Sequence, residues 1–190
     1  MVTVAPLTDF AVSRTEITNW LRLPSALCNQ ANEVAIFDLL AESATVAIEE
    51  FTRRLMVRRE VTLRLQKLKV VTQLPWNQFH SLTSFEIDGD EVDPALYELI
   101  GFTTPARIVF KQDSLPEITS EAQYPIEIKY IAGEAEDTAG VPAEFKQYAL
   151  MLIATGYTKR QSIESSNLNP NSMKSYMMEL LRNKRVWRYQ

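Results

Sequence analysis

Apolar residues recur along this chain with two different periods. From Asn32 to Met56 the spacing is helical. Phe37, Leu40, Ala41, Ala44, Ala47, Ile48, Phe51 and Leu55 follow at steps of three and four, which gathers them on one face of a long helix over about 32–56. Glu33, Asp38 and Glu42 lead and Arg53 and Arg54 trail, the sense that complements the helix dipole. A second long helix is predicted over about 142–160. Pro142 suits its first position, and Phe145, Tyr148, Ala149, Leu152, Ile153 and Tyr157 mark its buried face. Two shorter helices flank this pair. One spans about 13–23: Ser13 and Glu16 have capping-box spacing, Ile17, Trp20 and Leu21 follow, and Pro24 ends it. The other spans about 172–181, with Met173, Tyr176, Met177, Leu180 and Leu181 on its apolar side. The Ser- and Asn-rich stretch 162–172 before it reads as a loop.

Between the long helices, over about 58–133, the period falls to two. Glu60–Leu65, Thr83–Ile87, Arg107–Lys111 and Pro125–Ala132 read as strands, with Gly133 ending the last. Asp88-Gly89-Asp90 reads as a turn, with Glu91–Asp93 resuming behind it. The gaps hold loops and no crossover helix, so antiparallel pairing is expected. The fold class is therefore α+β. A helical core, made of a short N-terminal helix, two long helices and a C-terminal helix, carries an antiparallel β-rich insertion in its middle third. Residues 1–12 read as a loose N-terminal arm, 13–181 as a single domain, and 182–190 as a basic aromatic C-terminal tail.

The 190 residues, 46% of them hydrophobic, suffice for one full core. No apolar run approaches the roughly 20 residues needed to span a bilayer, and Met1–Phe10 lacks the basic-then-apolar pattern of a signal peptide. A soluble protein made in the cytoplasm is the expectation. Candidate chemistry is sparse. Cys28 is the single cysteine, so neither an intrachain disulfide nor a cysteine metal cluster can be built on it. His80 is the single histidine and reads as a surface or loop residue. The five glycines are scattered and form no phosphate-cradling loop. Asp88-Gly89-Asp90 lacks the further ligands of a calcium loop. No catalytic residue, cofactor or metal ligand is expected, and a carboxylate hydrolase is the weak enzymatic rival.

Charge changes the picture more. Residues 86–144 hold 14 acids and three bases, a net −11, which leaves +7 for the rest of a chain whose total is −4. Acidic and basic stretches on one chain suit a subunit that meets unlike surfaces on two sides, and equally an acidic solvated face. The basic residues cluster twice, at Arg53, Arg54, Arg58 and Arg59, and in the tail. There Arg182, Lys184, Arg185 and Arg188 surround Trp187 and Tyr189. Such a tail could track nucleic acid. It also has the composition of a protein anchor, since Trp, Tyr and Arg dominate interface hot spots. In an acidic chain the protein anchor is favoured over nucleic acid, with a solvated, frayed terminus as the plain alternative.

Several segments, taken in order, resemble the phage head–tail connector (adaptor) proteins, in the variant with a β-rich insertion between helices. Trp20-Leu21-Arg22-Leu23 is similar to the Leu-Arg end of that family's first short helix. Glu49-Glu50-Phe51-Thr52-Arg53-Arg54-Leu55 resembles the ending of its long helix, although Arg53 stands where glycine is common. Asp88-Gly89-Asp90 with Tyr97 downstream resembles its turn and tyrosine, and Ile128-Lys129-Tyr130-Ile131-Ala132-Gly133 its strand ending in Ala-Gly. Val141-Pro142-Ala143-Glu144-Phe145-Lys146-Gln147-Tyr148-Ala149 resembles the start of the next helix, and Tyr157 with Arg160 its Tyr-x-x-Arg. The region after 161 is longer and less typical.

The resemblance implies a non-enzymatic subunit, made in the host cytoplasm and located at the virion neck. It implies a ring, typically of twelve subunits, below the portal protein, with stopper or tail-completion proteins beyond and genome DNA passing through without specific binding. Arg182, Lys184, Arg185, Trp187, Arg188 and Tyr189 are the expected portal contacts, and Glu49, Glu50, Arg53 and Arg54 the expected inter-subunit contacts. The rival is a small DNA-binding or packaging factor using the two basic clusters, with strongly salt-dependent affinity for duplex DNA.

Overall fold

A computed structural model describes residues 1–76, 78–103, 105–111, 115, 116, 118, 122–161, 179 and 181–185. Their contacts form two compact units: residues 1–6 with 58–133, and 7–57 with 134–185. The packing thus divides elsewhere than at the expected boundaries, 12/13 and 181/182.

The first unit is built of strands: β1 Val2–Val4, β2 Arg59–Leu65, β3 Val71–Gln73, β4 Phe79–Ile87, β5 Asp90–Glu91, β6 Tyr97–Ile100, β7 Arg107–Phe110 and β8 Ile126–Ala132. They form a five-stranded sheet in the order β1-β2-β8-β4-β5 and a three-stranded sheet in the order β3-β7-β6. Every pairing between these strands is antiparallel, as expected from the absence of crossover helices. Alternation sets the faces: Ile126, Ile128, Tyr130 and Ala132 point inward from β8, joined by Val61 and Leu63 of β2. Phe85 of β4 bridges the two sheets, its ring edge-on to Tyr97 at 5.3 Å and to Phe110 at 5.8 Å. Asp88 and Gly89 both have positive φ, 57° and 91°, the geometry of a two-residue hairpin whose twist matches its strands.

The second unit is helical: α1 Arg14–Leu21, α2 Ser25–Cys28, α3 Ala31–Thr52 and α4 Ala143–Gln161. The capping box forms as its spacing predicts. The Ser13 amide donates to Glu16 Oε2 at 2.7 Å, and the Glu16 amide to Ser13 Oγ at 3.3 Å. Ile17, Phe37, Ala41, Ala44, Ile48, Phe145, Ala149, Ile153 and Tyr157 make one apolar core. Phe37 and Tyr157 lie 5.8 Å apart, and the tyrosine hydroxyl reaches Glu33 at 3.1 Å. Gly156 gives α3 room: a Cβ there would meet Leu40 at 2.8 Å. Of the expected helix 172–181, Glu179 and Leu181 are described, both helical, and Leu181 enters the core; its other residues lie outside the described ones, as does the expected loop 162–172.

Three expectations are corrected. Residues 1–12 are not a loose arm. Val2–Val4 pairs with Val61–Leu63 as an edge strand, and Ala11 and Val12 are buried. Thr45 Oγ holds the Ala11 amide at 3.0 Å and Thr138 Oγ donates to the Phe10 carbonyl at 2.8 Å, so a stretch without local periodicity is fixed by distant partners. The long helix stops at Thr52, not near Met56, because Arg53 turns left-handed at φ 59°. Leu55 and Met56 still enter the interior, from extended backbone whose carbonyls accept the Glu134 and Ala135 amides. Glu49, expected on the surface, is 4% exposed.

Candidate interaction surface

Two places in the helical unit concentrate the residues that could meet another molecule: the outer face of α3 and the end of that helix. The core stripe of α3 runs through Phe37, Ala41, Ala44 and Ile48. At 100° per residue, Leu39, Val46 and Glu50 fall on the opposite side. They are exposed there, Leu39 to 61% and Val46 to 36%. With Glu42, Ser43 and Ala47 they line a shallow, open depression. It is an apolar strip with carboxylates on its rim, suited to contact and not to enclosing a small molecule.

At the end of α3 the polar groups turn inward. Glu49 Oε1 accepts the Met56 amide at 2.8 Å, closing the turn that follows the helix. Arg54, half-buried, pairs with Glu134 at 2.6 Å and donates through Nε to the Lys184 carbonyl at 2.9 Å. Lys184 pairs with Glu144 at 2.8 Å, and the Arg185 guanidinium lies 5.7 Å from the centre of the Phe51 ring. Residues 181–185 are therefore clasped onto the ends of α3 and α4.

This sorts the expected site residues. Of the four expected inter-subunit residues, Glu50 and Arg53 are exposed. Glu49 and Arg54 each serve a bond within their own unit, Glu49 with the Met56 amide in the turn after α3 and Arg54 with the Lys184 carbonyl of the C-terminal segment. Of the expected portal contacts, Arg182 is exposed, Lys184 and Arg185 are partly engaged as described, and Trp187, Arg188 and Tyr189 lie outside the described residues. The cluster Arg53, Arg54, Arg58 and Arg59 is not one free patch. Arg54 is paired, Arg59 donates to the Ala5 carbonyl at 3.3 Å, and Arg58 is half-buried with a partner of its own. The outer face of α3 was missed. Leu39 and Val46 signalled it by being apolar yet out of phase with the core stripe.

The other candidates for chemistry make local contacts. His80 is exposed, with Nδ1 3.3 Å from Ser81 Oγ. Cys28 Sγ lies 3.4 Å from the Pro24 carbonyl. Among the described residues no group of three His, Cys, Asp or Glu side chains is arranged to hold a metal ion, and no helix is long and apolar enough to cross a membrane.

Two carboxylates have displaced affinities for protons. Burial pushes that of Glu16 up, but hydrogen bonds from Lys146 and from Ser13 outweigh it and hold the group below the ordinary carboxylate range. Glu127, on the outer face of the five-stranded sheet, is lowered by hydrogen bonds from Lys129 and Arg64 against a smaller opposing effect of burial. Both belong to structural ion pairs, at 2.8 Å and 2.6–2.7 Å, and neither lies in a cleft.

The elements define an α+β protein of two compact units. Its fold is shared with chains from a phage-like particle. One is in the neck of an empty gene transfer agent particle, computed with C6 symmetry. The match has a TM-score of 0.77 at 22% identity and covers 100% of this chain and 97% of that one. A chain in the virion of the native gene transfer agent particle matches equally, and one in the native neck computed with C12 symmetry gives 0.68 at 20% identity. No protein-family model and no curated protein matches the sequence. The shared fold agrees with the sequence resemblance to head–tail connector proteins.

Proposed function

We propose that this chain is a head–tail connector subunit. It forms a ring, of twelve copies, below the portal of a tailed phage or phage-like particle. The ring extends the DNA channel and presents the docking surface for stopper or tail proteins. The supporting observation is the match of fold over the whole chain, helical and β units alike, to a neck chain. The neighbours' C6 and C12 symmetries suit a cyclic assembly, in which each subunit shows its neighbours two different sides. The net −11 over residues 86–144 suits a channel along which phosphates must slide and not bind. The role is structural, with no bond made or broken.

In this reading the clasp at 181–185 fixes the point from which the tail leaves, and Trp187 and Tyr189, with Arg182 and Arg188, enter the portal. The clasp leaves the anchor's root at a defined place, which lowers the entropy lost on docking. The test is assembly in a producing strain. Deleting the gene yields DNA-filled heads without tails. Deleting residues 186–190, which spares the clasp, yields a folded chain that no longer sediments with portal-bearing heads. Tailed, infectious particles lacking the chain overturn the connector role. Normal docking of the truncated chain overturns only the portal anchor.

A further inference from the structure

The most exposed large apolar side chain among the described residues is Phe102, at 92%. It stands at the tip of the β6–β7 hairpin, and the turn beside it is held from both sides. On one side Gly101 sits so close to the Phe79 ring that a Cβ would meet it at 2.7 Å, and Phe79 stacks on Tyr130 at 6.1 Å. On the other, Thr103 Oγ donates within reach of both the Ile100 and Pro105 carbonyls, at 3.2 and 2.9 Å. With Gly101 and Thr103 on either side so held, Phe102 is preorganised for contact, because less freedom is left to lose on binding. Below the tip, Arg107 closes the hairpin opposite Ile100 and is exposed. Among the described residues no carboxylate pairs with it.

The outer face of α3 is the complement. Leu39, Val46 and Ala47 offer an apolar depression of side-chain size, rimmed by Glu42 and Glu50. Both acids are exposed, and neither has a counter-ion among the described residues. An apolar knob with a cation at its base is complementary in chemistry to an apolar seat with anions at its edge, one belonging to each unit.

From this complementarity we infer that Phe102 of one copy seats on the α3 face of a second copy, with Arg107 against Glu42 and Glu50. The contact joins two different patches, the head-to-tail kind that builds a ring where the rotation closes. The inference rests on the connector reading and deepens it by naming both sides of the joint. Two different patches also explain why the apolar residues Leu39 and Val46 of α3 stay exposed, outside the core formed by the described residues.

The test uses assembled particles carrying Phe102→p-benzoylphenylalanine, which keeps an aromatic knob. Irradiation is expected to shift the chain into a ladder of covalent multimers, with cross-links mapped by mass spectrometry to residues 39–50 of a second copy. Cross-links to another neck protein, or none although the chain is present in the neck, overturn the joint and leave the connector role standing. Absence of the chain from particles overturns both. As a second measurement, Phe102→Asp lowers incorporation on the order of tenfold, as loss of a central anchor does, while Phe102→Leu retains it. Arg107→Glu also lowers incorporation, and Glu42→Arg with Glu50→Arg restores it. A chain that had simply misfolded is not rescued by reversing charges in the other unit, so failure of rescue counts against the joint.

Discussion

The helical unit and the β unit handle buried polarity differently. The helical unit takes polar side chains inside and gives each a backbone partner. Thr45 serves the Ala11 amide and the Ala41 carbonyl, Thr52 the Ile48 carbonyl, and Glu49 the Met56 amide. The β unit satisfies most of its backbone through ladders, buries Thr72 with its hydroxyl on the Lys69 carbonyl, and keeps charge on its outer face, where Arg64, Glu127 and Lys129 lie side by side. The reason is where each backbone leaves groups unpaired. A strand inside a sheet leaves none, whereas a helix leaves four carbonyls at its end and loops leave amides. Thr45 and Glu49 enter the helical core to close two such gaps, the Ala11 and Met56 amides, while the Thr45 and Thr52 hydroxyls also bond the helix carbonyl four residues back. Both units also leave apolar surface outside: Leu39 and Val46 along α3, with Trp20 and Leu27 on the shorter helices, and in the β unit Phe102 at a turn tip, with Val70 and Val71 where β3 begins.

The largest test removes one anchor from each core. Phe145→Ala in the helical unit and Phe85→Ala between the two sheets each destabilise by about 3–5 kcal/mol in chemical denaturation. Hydrogen exchange separates them: it rises first in α1, α3 and α4 for Phe145→Ala, and in β4, β6 and β7 for Phe85→Ala. Uniform loss of protection in both variants erases the distinction between units.

A smaller effect has the opposite sign. Arg53 is forced into the left-handed region at φ 59°, which costs a side-chain-bearing residue about 1–2 kcal/mol and glycine almost nothing. Glycine loses more freedom on folding, so Arg53→Gly stabilises by a net of about 0.5–1 kcal/mol, read as a higher denaturation midpoint with unchanged slope. Glycine is common at this position in the resembling family, and the left-handed cap supplies the physical reason.

The smallest effect is the pH response. The folded-state affinity of Glu16 for protons is lowered, so the Glu16–Lys146 pair contributes stability above the unfolded value of about 4.5 and loses it as pH falls through the lower folded value. For this partly exposed pair the contribution is about 0.2–1 kcal/mol, and it falls with salt. Glu16→Gln flattens this part of the acid limb. Glu127→Gln does the same on the sheet's outer face, with the stronger salt dependence, since its partners are more exposed.

Local signals were enough for much of this molecule. The face and extent of α4, the start of α1 with its capping box, the Asp88-Gly89 hairpin and the alternation of β8 all follow from spacing and residue type. Each depends on interactions within a turn or a strand. Three other features needed the folded chain: the pairing of Val2–Val4 with β2, the stop of α3 at an arginine and the inward turn of Glu49 and Arg54. A short edge strand has too few residues to announce itself, and its partner lies some sixty positions away. A left-handed arginine carries no glycine signal. Whether a carboxylate or guanidinium faces water depends on which distant amide or carbonyl lacks a partner, and only tertiary packing brings those groups within hydrogen-bond reach.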